Sequence, residues 1–248
     1  MNTRIGLLII STGKYDQFVQ PLLDSAAKHF FPEESINIFH FTDKNESLLV
    51  PHKFNYTAIK IEHEPWPAPT LKRYEYFMRI ERTLWKNTDY LFYIDVDALF
   101  IKDIGFEILN NVFEILSDRR SCKLVSVRHC GFAGGGWGSP SVDPNSTAFV
   151  PEDKRKIYYM GGFQGGRTND YLKACLILSK NIKTDEDNGI VAEYHDESHW
   201  NHYLSSNTMD FGDYNRLPPT FFMAEEMEGA HEKASILALK KEHESIRS

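Results

Sequence analysis

Residues 5–10 (IGLLII) and 91–94 (LFYI) are apolar, aromatic or glycine at every position, where a strand with one wet face alternates. A strand without alternation is buried on both faces, so its sheet needs a covering layer on each side. Segments with helical spacing lie between such runs, for example Phe18, Leu22, Ala26 and Phe30. That order of elements predicts an α/β chain on a mostly parallel central sheet.

The other segments extend the pattern. Residues 4–12 read as a first strand ending in Ser-Thr-Gly, and 36–43 (INIFHFTD) as a second ending in Thr-Asp. Residues 57–62 alternate like a third. Thr70 can cap a helix running through Tyr74, Phe77, Ile80 and Leu84. Residues 89–100 open as a very apolar strand, 123–129 as another, and a helix is expected around 169–181. Ligands of such sheets gather beyond the carboxyl ends of the strands. Asp43 and the pair Asp95 and Asp97 fall at such ends.

The formal net charge of −7 argues against nucleic acid or an anionic membrane as partner. No run approaches the roughly 18 apolar residues of a membrane span, and the N-terminal stretch lacks a signal peptide's small-residue cleavage site. The three cysteines, Cys122, Cys130 and Cys175, form no C-x-x-C pair, which fits a reduced, cytoplasmic chain.

Four motifs carry chemistry. In Asp95-Val96-Asp97, two carboxylates at a strand end can reach a hard divalent cation such as Mn²⁺ or Mg²⁺. A pair of solvated aspartates is the plainer reading. In YYMGGFQGG (158–166) the glycines either let backbone approach a ligand or serve a turn. Arg73, just inside a helix start, is either a phosphate or sugar contact or a solvated residue. In YHDESHWNHYL (194–204), His195, His199 and His202 suggest zinc, but the residue after the first histidine is Asp196, not the glutamate of a zinc hydrolase. Asp185-Glu186-Asp187-Asn188-Gly189 departs from calcium-loop spacing and is set aside.

Taken in chain order, FTD (41–43), W-x-x-x-T-L-K-R (66–73), DYLFYIDVD (89–97), HCGF (129–132), YYMGGFQGG (158–166), NGI (188–190), HDESHWNHY (195–203), and Lys241 followed six residues later by Arg247 resemble glycosyltransferase family 6. That family includes the blood-group A and B transferases and the α1,3-galactosyltransferase. The resemblance spans roughly residues 5–247. The lack of an N-terminal anchor and stem looks like its bacterial and viral members. Many bacterial members have lost the D-x-D that this chain carries.

The resemblance implies an A-type glycosyltransferase fold, Rossmann-like, in one catalytic domain over 1–248. Residues 1–130 would form a nucleotide-binding half, and 131–248 an acceptor and catalytic half with a C-terminal lid. It implies a UDP-sugar donor, a galactoside or oligosaccharide acceptor, possibly fucosylated, α1,3 linkage and retained anomeric configuration. Asp95 and Asp97 would hold Mn²⁺, with Mg²⁺ an alternative. Donor contacts would come from Ser11, Thr12, Tyr15 and Arg73, then Val96, Gly161, Gly162 and Asp196, and from Lys241 and Arg247 in the tail. His129, Tyr194 and Glu197 would meet the acceptor. Glu197 matches the catalytic glutamate.

For the donor sugar, Gly162 leaves room for an N-acetyl group, whereas Met160 is the residue of a galactose-using relative; the first signal favours UDP-GalNAc over UDP-Gal. The chain departs from the family pattern in the loop at 133–145, in Tyr194 where tryptophan is usual, and in Ala224 where an acidic residue is expected. Rival readings are a zinc hydrolase on the three histidines, which tight zinc would reveal, and a non-catalytic sugar-binding module, which would bind donor without releasing UDP.

Overall fold

The doubly buried strands sort their side chains between two cores. In the computed structural model, which describes residues 3–44, 48–109, 123–133, 137–205, 214–242 and 245–246, β1 (Ile5–Ser11) sends Ile5, Leu7 and Ile9 into one core and Leu8 and Ile10 into the other. Successive side chains of a strand point to opposite faces, so an unbroken apolar run fills both cores at once. β4 (Tyr90–Ile94) repeats the division, with Phe92 and Ile94 on one side and Leu91 and Tyr93 on the other.

Beside β1 lie β2 (Ile36–Thr42) and β3 (Phe54–Lys60), all parallel, as is the β1–β4 pair. One core is closed by α1 (Val19–His29), which buries Val19, Leu22, Leu23 and Ala26. The turn before it, Gly13–Phe18, is a 3₁₀ helix, so Phe18, the first of the helically spaced residues, falls just ahead of α1. The predicted helix from Thr70 is three short ones: α2 (Ala68–Leu71), α3 (Arg73–Arg79) and α4 (Glu81–Asn87). Thr70 sits inside α2 and does not cap it. The backbone leaves helical angles at Lys72 and Ile80.

The full sheet has the order β3-β2-β1-β4-β7-β6-β8, completed by β6 (Leu124–Arg128), β7 (Tyr159–Arg167) and β8 (Tyr214–Leu217). β7 alone runs antiparallel to its neighbours, β4 and β6. The other face is covered by α3, by α5 (Thr168–Asp187) and by α6 (His195–Ser205), through Tyr74, Phe77, Tyr171, Leu178 and Trp200. The acidic run at 185–189 closes the end of α5: buried Asp185 accepts from the Ser146 hydroxyl at 2.6 Å and the Thr147 N–H at 2.7 Å.

The glycine-rich 158–166 segment is thus mostly a strand, not a turn. Glycine is depleted in strands, which hid it. A Cβ on Gly165 would lie 2.4 Å from the Leu91 carbonyl oxygen, and Gly166 has φ +145° with its Cβ position 2.2 Å from the Lys123 oxygen. These two glycines allow tight backbone packing between strands.

A second sheet joins β5 (Ala98–Phe100), β10 (Ile236–Ala238) and β9 (Phe222–Ala224), with β10 in the middle. A last short helix, α7 (Ala230–Lys233), precedes β10. The Leu239 N–H donates to the Asp97 carbonyl at 2.8 Å, which draws the C-terminal segment across the end of β4. Among the described residues no helix is long and apolar enough to cross a membrane.

Gly165→Ala forces a methyl onto backbone that has no rotamer to yield. It should lower unfolding free energy by about 1–3 kcal/mol or more, read as a lower urea midpoint with unchanged slope. A midpoint equal to that of the native chain would show that β4 and β7 are not so closely apposed.

Candidate active site

A cleft opens where β1 and β4 end, beneath α2 and α6. Its lining includes Thr12, Tyr15, Trp66, Arg73, Asp95 and Asp97, with Gly161, Gly162, Asp196, Glu197 and Lys241. The spacing of β4 explains the aspartates. The strand ends at Ile94, and the next side chains, Asp95, Val96 and Asp97, all line the cleft, Val96 packing into the core as well.

Arg73 opens α3 with its side chain only 3% exposed, so it is not the solvated residue that its place at a helix start allowed. Its Nη1 donates to the Gly161 carbonyl at 2.8 Å and pairs with Asp196 at 3.0 Å. Nη2 reaches Asp95 at 3.5 Å, and the guanidinium lies 4.1 Å over the Tyr93 ring. Burial opposes its charge, but Asp196, Tyr93 and Asp95 together raise its pKa above the ordinary value.

Asp95 keeps 39% of its side chain exposed, and the Tyr93 hydroxyl donates to its Oδ1 at 2.6 Å. Asp97 is more buried and pairs with the Lys241 ammonium, which also stands 5.5 Å from the Tyr15 ring centre. The two carboxylates are hard oxygen donors at one end of the cleft. Among the described residues no group of three His, Cys, Asp or Glu converges on one point. Such a pair suits Mg²⁺ or Mn²⁺ completed by water and substrate phosphates; it does not suit a four-ligand structural zinc site.

α6 supplies the acidic wall. Burial pushes Asp196 up, with Arg73 pulling the other way. Glu197 is pushed up to about 7 by burial, opposed by the Tyr158 hydroxyl and by the Gly161 N–H, which donates to its Oε2 at 2.6 Å. A buried carboxyl holds its proton because low dielectric penalises the charge.

The three histidines do not converge. His195 meets the Trp66 ring at 4.6 Å, His199 is buried with Asp185 at 3.7 Å, and the Nδ1 of His202 contacts the Phe149 carbonyl at 2.6 Å. That excludes the zinc hydrolase reading. Burial holds the His199 imidazole below its ordinary value, against the pull of Asp185.

Two expected contacts lie outside the cleft. The Ser11 hydroxyl is occupied by His40 at 2.6 Å and Asp16 at 3.1 Å. His129 accepts from the Gly131 N–H at 3.1 Å, and its ring lies 5.8 Å from that of Tyr158. Tyr194 lines the cleft rim and is exposed, and Val96 lines the floor. Arg247 lies outside the described residues, as does Cys122. Sequence reasoning assigns no role to Tyr93 or Tyr158, or to the wall made by His63, Glu64 and Trp66. Tyr93, Tyr158 and Trp66 do lie within the family-like motifs, while His63 and Glu64 leave no signal.

A model of glycosyltransferase family 6 matches residues 1–248. The O-antigen biosynthesis glycosyltransferase WbnI of Escherichia coli is 27% identical, over 97% of this chain and 96% of its own length. Histo-blood group ABO system transferase 2 of Rattus norvegicus is 29% identical, over all of this chain and 72% of its own length. Globoside alpha-1,3-N-acetylgalactosaminyltransferase 1 of Homo sapiens is 29% identical, over 84% of this chain and 58% of its own length.

The raised Glu197 carboxyl gives a stability test. Its folded pKa lies above the ordinary 4.5, so its contribution is fully present below pH 4.5 and is lost as pH rises through about 7. Glu197→Gln removes that loss. The variant should melt roughly 2–4 °C above the native chain at pH 8, the effect of about 1 kcal/mol at this size, with no such gain at pH 4. A difference that stays flat across that range would show that the carboxylate is not penalised by burial.

Proposed function

Since the chain belongs to glycosyltransferase family 6, we propose that it is a retaining transferase that moves N-acetylgalactosamine from UDP-GalNAc in α1,3 linkage to a galactoside acceptor. The observation that carries this reading is the Glu197 carboxylate, fixed on the Gly161 N–H in the same cleft as Asp95 and Asp97. Galactose transfer from UDP-Gal is the alternative within the class.

On this reading Thr12 and Tyr15, at the end of β1, cradle the uridine. Asp95 and Asp97 would hold Mn²⁺ or Mg²⁺, which when bound neutralises charge on the departing diphosphate. Arg73 spends its donors on the protein and acts by holding Asp95, Asp196 and Gly161 in place. Glu197 faces the anomeric carbon. A covalent glycosyl–carboxylate route and a same-face ion-pair route both require its ionised form. His129 and Tyr194 belong to the acceptor side. The C-terminal segment carries Lys241 to the diphosphate as part of a lid, and two cations there would shield the leaving group from water.

The donor's C2 substituent is assigned to Gly162. Met160 packs into a core and does not line the cleft, so it is less placed to select the sugar. A methyl on Gly162 would come 2.9 Å from the Phe222 ring and 3.0 Å from Asp95 Oδ2.

UDP release with UDP-GalNAc and UDP-Gal, tried against fucosylated and plain galactosides, tests the reading. Transfer should require Mn²⁺ or Mg²⁺ and stop with EDTA. Full activity after thorough chelation would make Asp95 and Asp97 structural, and UDP binding without release for any donor would favour a binding module. Gly162→Ala should shift the kcat/KM ratio toward UDP-Gal and lower both values, because Phe222 or Asp95 must yield. A native preference for UDP-Gal would overturn the GalNAc assignment.

A further inference from the structure

β7 loses regular strand partners where it enters the cleft. Its regular pairing with β4 ends at Ile94 and Phe163, followed by one last backbone bond from the Asp95 N–H to the Gly162 carbonyl at 2.9 Å, and its pairing with β6 slips between Ser126 and Arg128. The segment between carries Gly161 and Gly162. Buried backbone donors and acceptors need partners, and at Tyr159 and Gly161 side chains supply them. The Asn201 Oδ1 accepts from the Tyr159 N–H at 2.8 Å, and its Nδ2 donates to the Tyr159 carbonyl at 2.7 Å. One carboxamide thus meets both backbone groups of one residue, as the opposite residue of an antiparallel strand does. The same Nδ2 donates to the Glu197 carbonyl at 2.9 Å, one helical turn earlier in α6. Two residues along β7, the Gly161 N–H is taken by the Glu197 carboxylate and the Gly161 carbonyl by Arg73 and Gln164.

Asn201 is 5% exposed and does not line the cleft, so it has no path to substrate. We infer that Asn201 is a positioning residue, which fixes the register of α6 on β7 and so the place of the Glu197 carboxylate relative to Gly161 and Gly162. The inference rests on the catalytic reading of Glu197. Only a carboxamide satisfies these three bonds. Aspartate has the same shape but sets an oxygen against the Tyr159 and Glu197 carbonyls, and alanine leaves all three groups unpaired.

The test uses the full chain with whichever of UDP-GalNAc and UDP-Gal it turns over, comparing Asn201→Ala, Asn201→Asp and Glu197→Gln. Rates are counted per UDP-binding site measured by calorimetry, so that misfolded protein drops out. Both Asn201 variants should lose about 10- to 100-fold in kcat, the scale of an ångström-sized misplacement, with UDP affinity and donor KM little changed. Amide exchange should speed up at 159–161 and stay native in β1 and β4. If Asn201→Asp does not fold, Asn201→Ala decides. Native kcat in Asn201→Ala beside a Glu197→Gln variant at least ~100-fold slower would overturn the inference and leave the catalytic reading standing. Loss of UDP affinity together with faster exchange throughout would mark Asn201 as merely structural. Near-native turnover in Glu197→Gln would remove the premise and both conclusions.

Discussion

The buried guanidinium of Arg73 is the contact on which the cleft depends. It joins the start of α3 to Asp95 beyond β4, to the Gly161 backbone of β7 and to Asp196 of α6. A cation so placed is tolerable only when paired, and removing one partner of a buried pair typically costs about 3–5 kcal/mol. The geometry of a planar fork matters as much as the charge: Nη1 meets two groups while Nη2 reaches a third, which a lysine ammonium at the end of a flexible stem does not reproduce. The break between α2 and α3 at Lys72 serves this end, since Arg73 starts a new helix there with its side chain turned inward.

Much of this is legible in the sequence where hydrophobic pattern decides. The unbroken runs in β1 and β4 require two cores, and both are found. The carboxyl ends of the strands point to Asp43, Asp95 and Asp97, and of these Asp95 and Asp97 line the cleft; Thr12 and Tyr15, which line it too, are marked only by the family resemblance. β7 is not legible, because its glycines answer to close backbone neighbours and not to a propensity. The splitting of one expected helix into three is likewise invisible, since the apolar spacing of Tyr74, Phe77 and Leu84 survives the breaks. Residues that act through others are hardest to see. Asn201 and Tyr158 fall inside the family-like motifs, yet nothing in the motifs assigns them a role; that role exists only once β7 and α6 are side by side.

The second, smaller sheet solves a problem of reach. Asp97 and Lys241 are far apart along the chain, yet β10 pairs with β5 directly after the aspartates. The backbone bond from Leu239 to Asp97 then sets the distance for Lys241. β9 pairs on the far edge of β10 and brings Phe222 against Gly162. One three-stranded sheet therefore positions both a cation near the D-x-D and an aromatic ring behind the glycine assigned to the donor's C2 group.

Charge accounting links these parts. At the floor of the cleft Asp95, Asp97, Asp196 and Glu197 share two cations, Arg73 and Lys241. Burial pushes the carboxyls of Asp196 and Glu197 upward, and the nearby Asp95 charge adds to it. The arrangement is poor for the stability of the free chain, because like charges in low dielectric repel. On the proposed reading a divalent cation would offset that surplus, and Lys241, beside Asp97, would complement a diphosphate bound with it. A floor fully neutralised by the protein itself would be more stable and would have no electrostatic reason to take up a metal–nucleotide pair. On that reading, the burial that raises the Asp196 and Glu197 carboxyls is a stability cost that a bound metal and donor would offset.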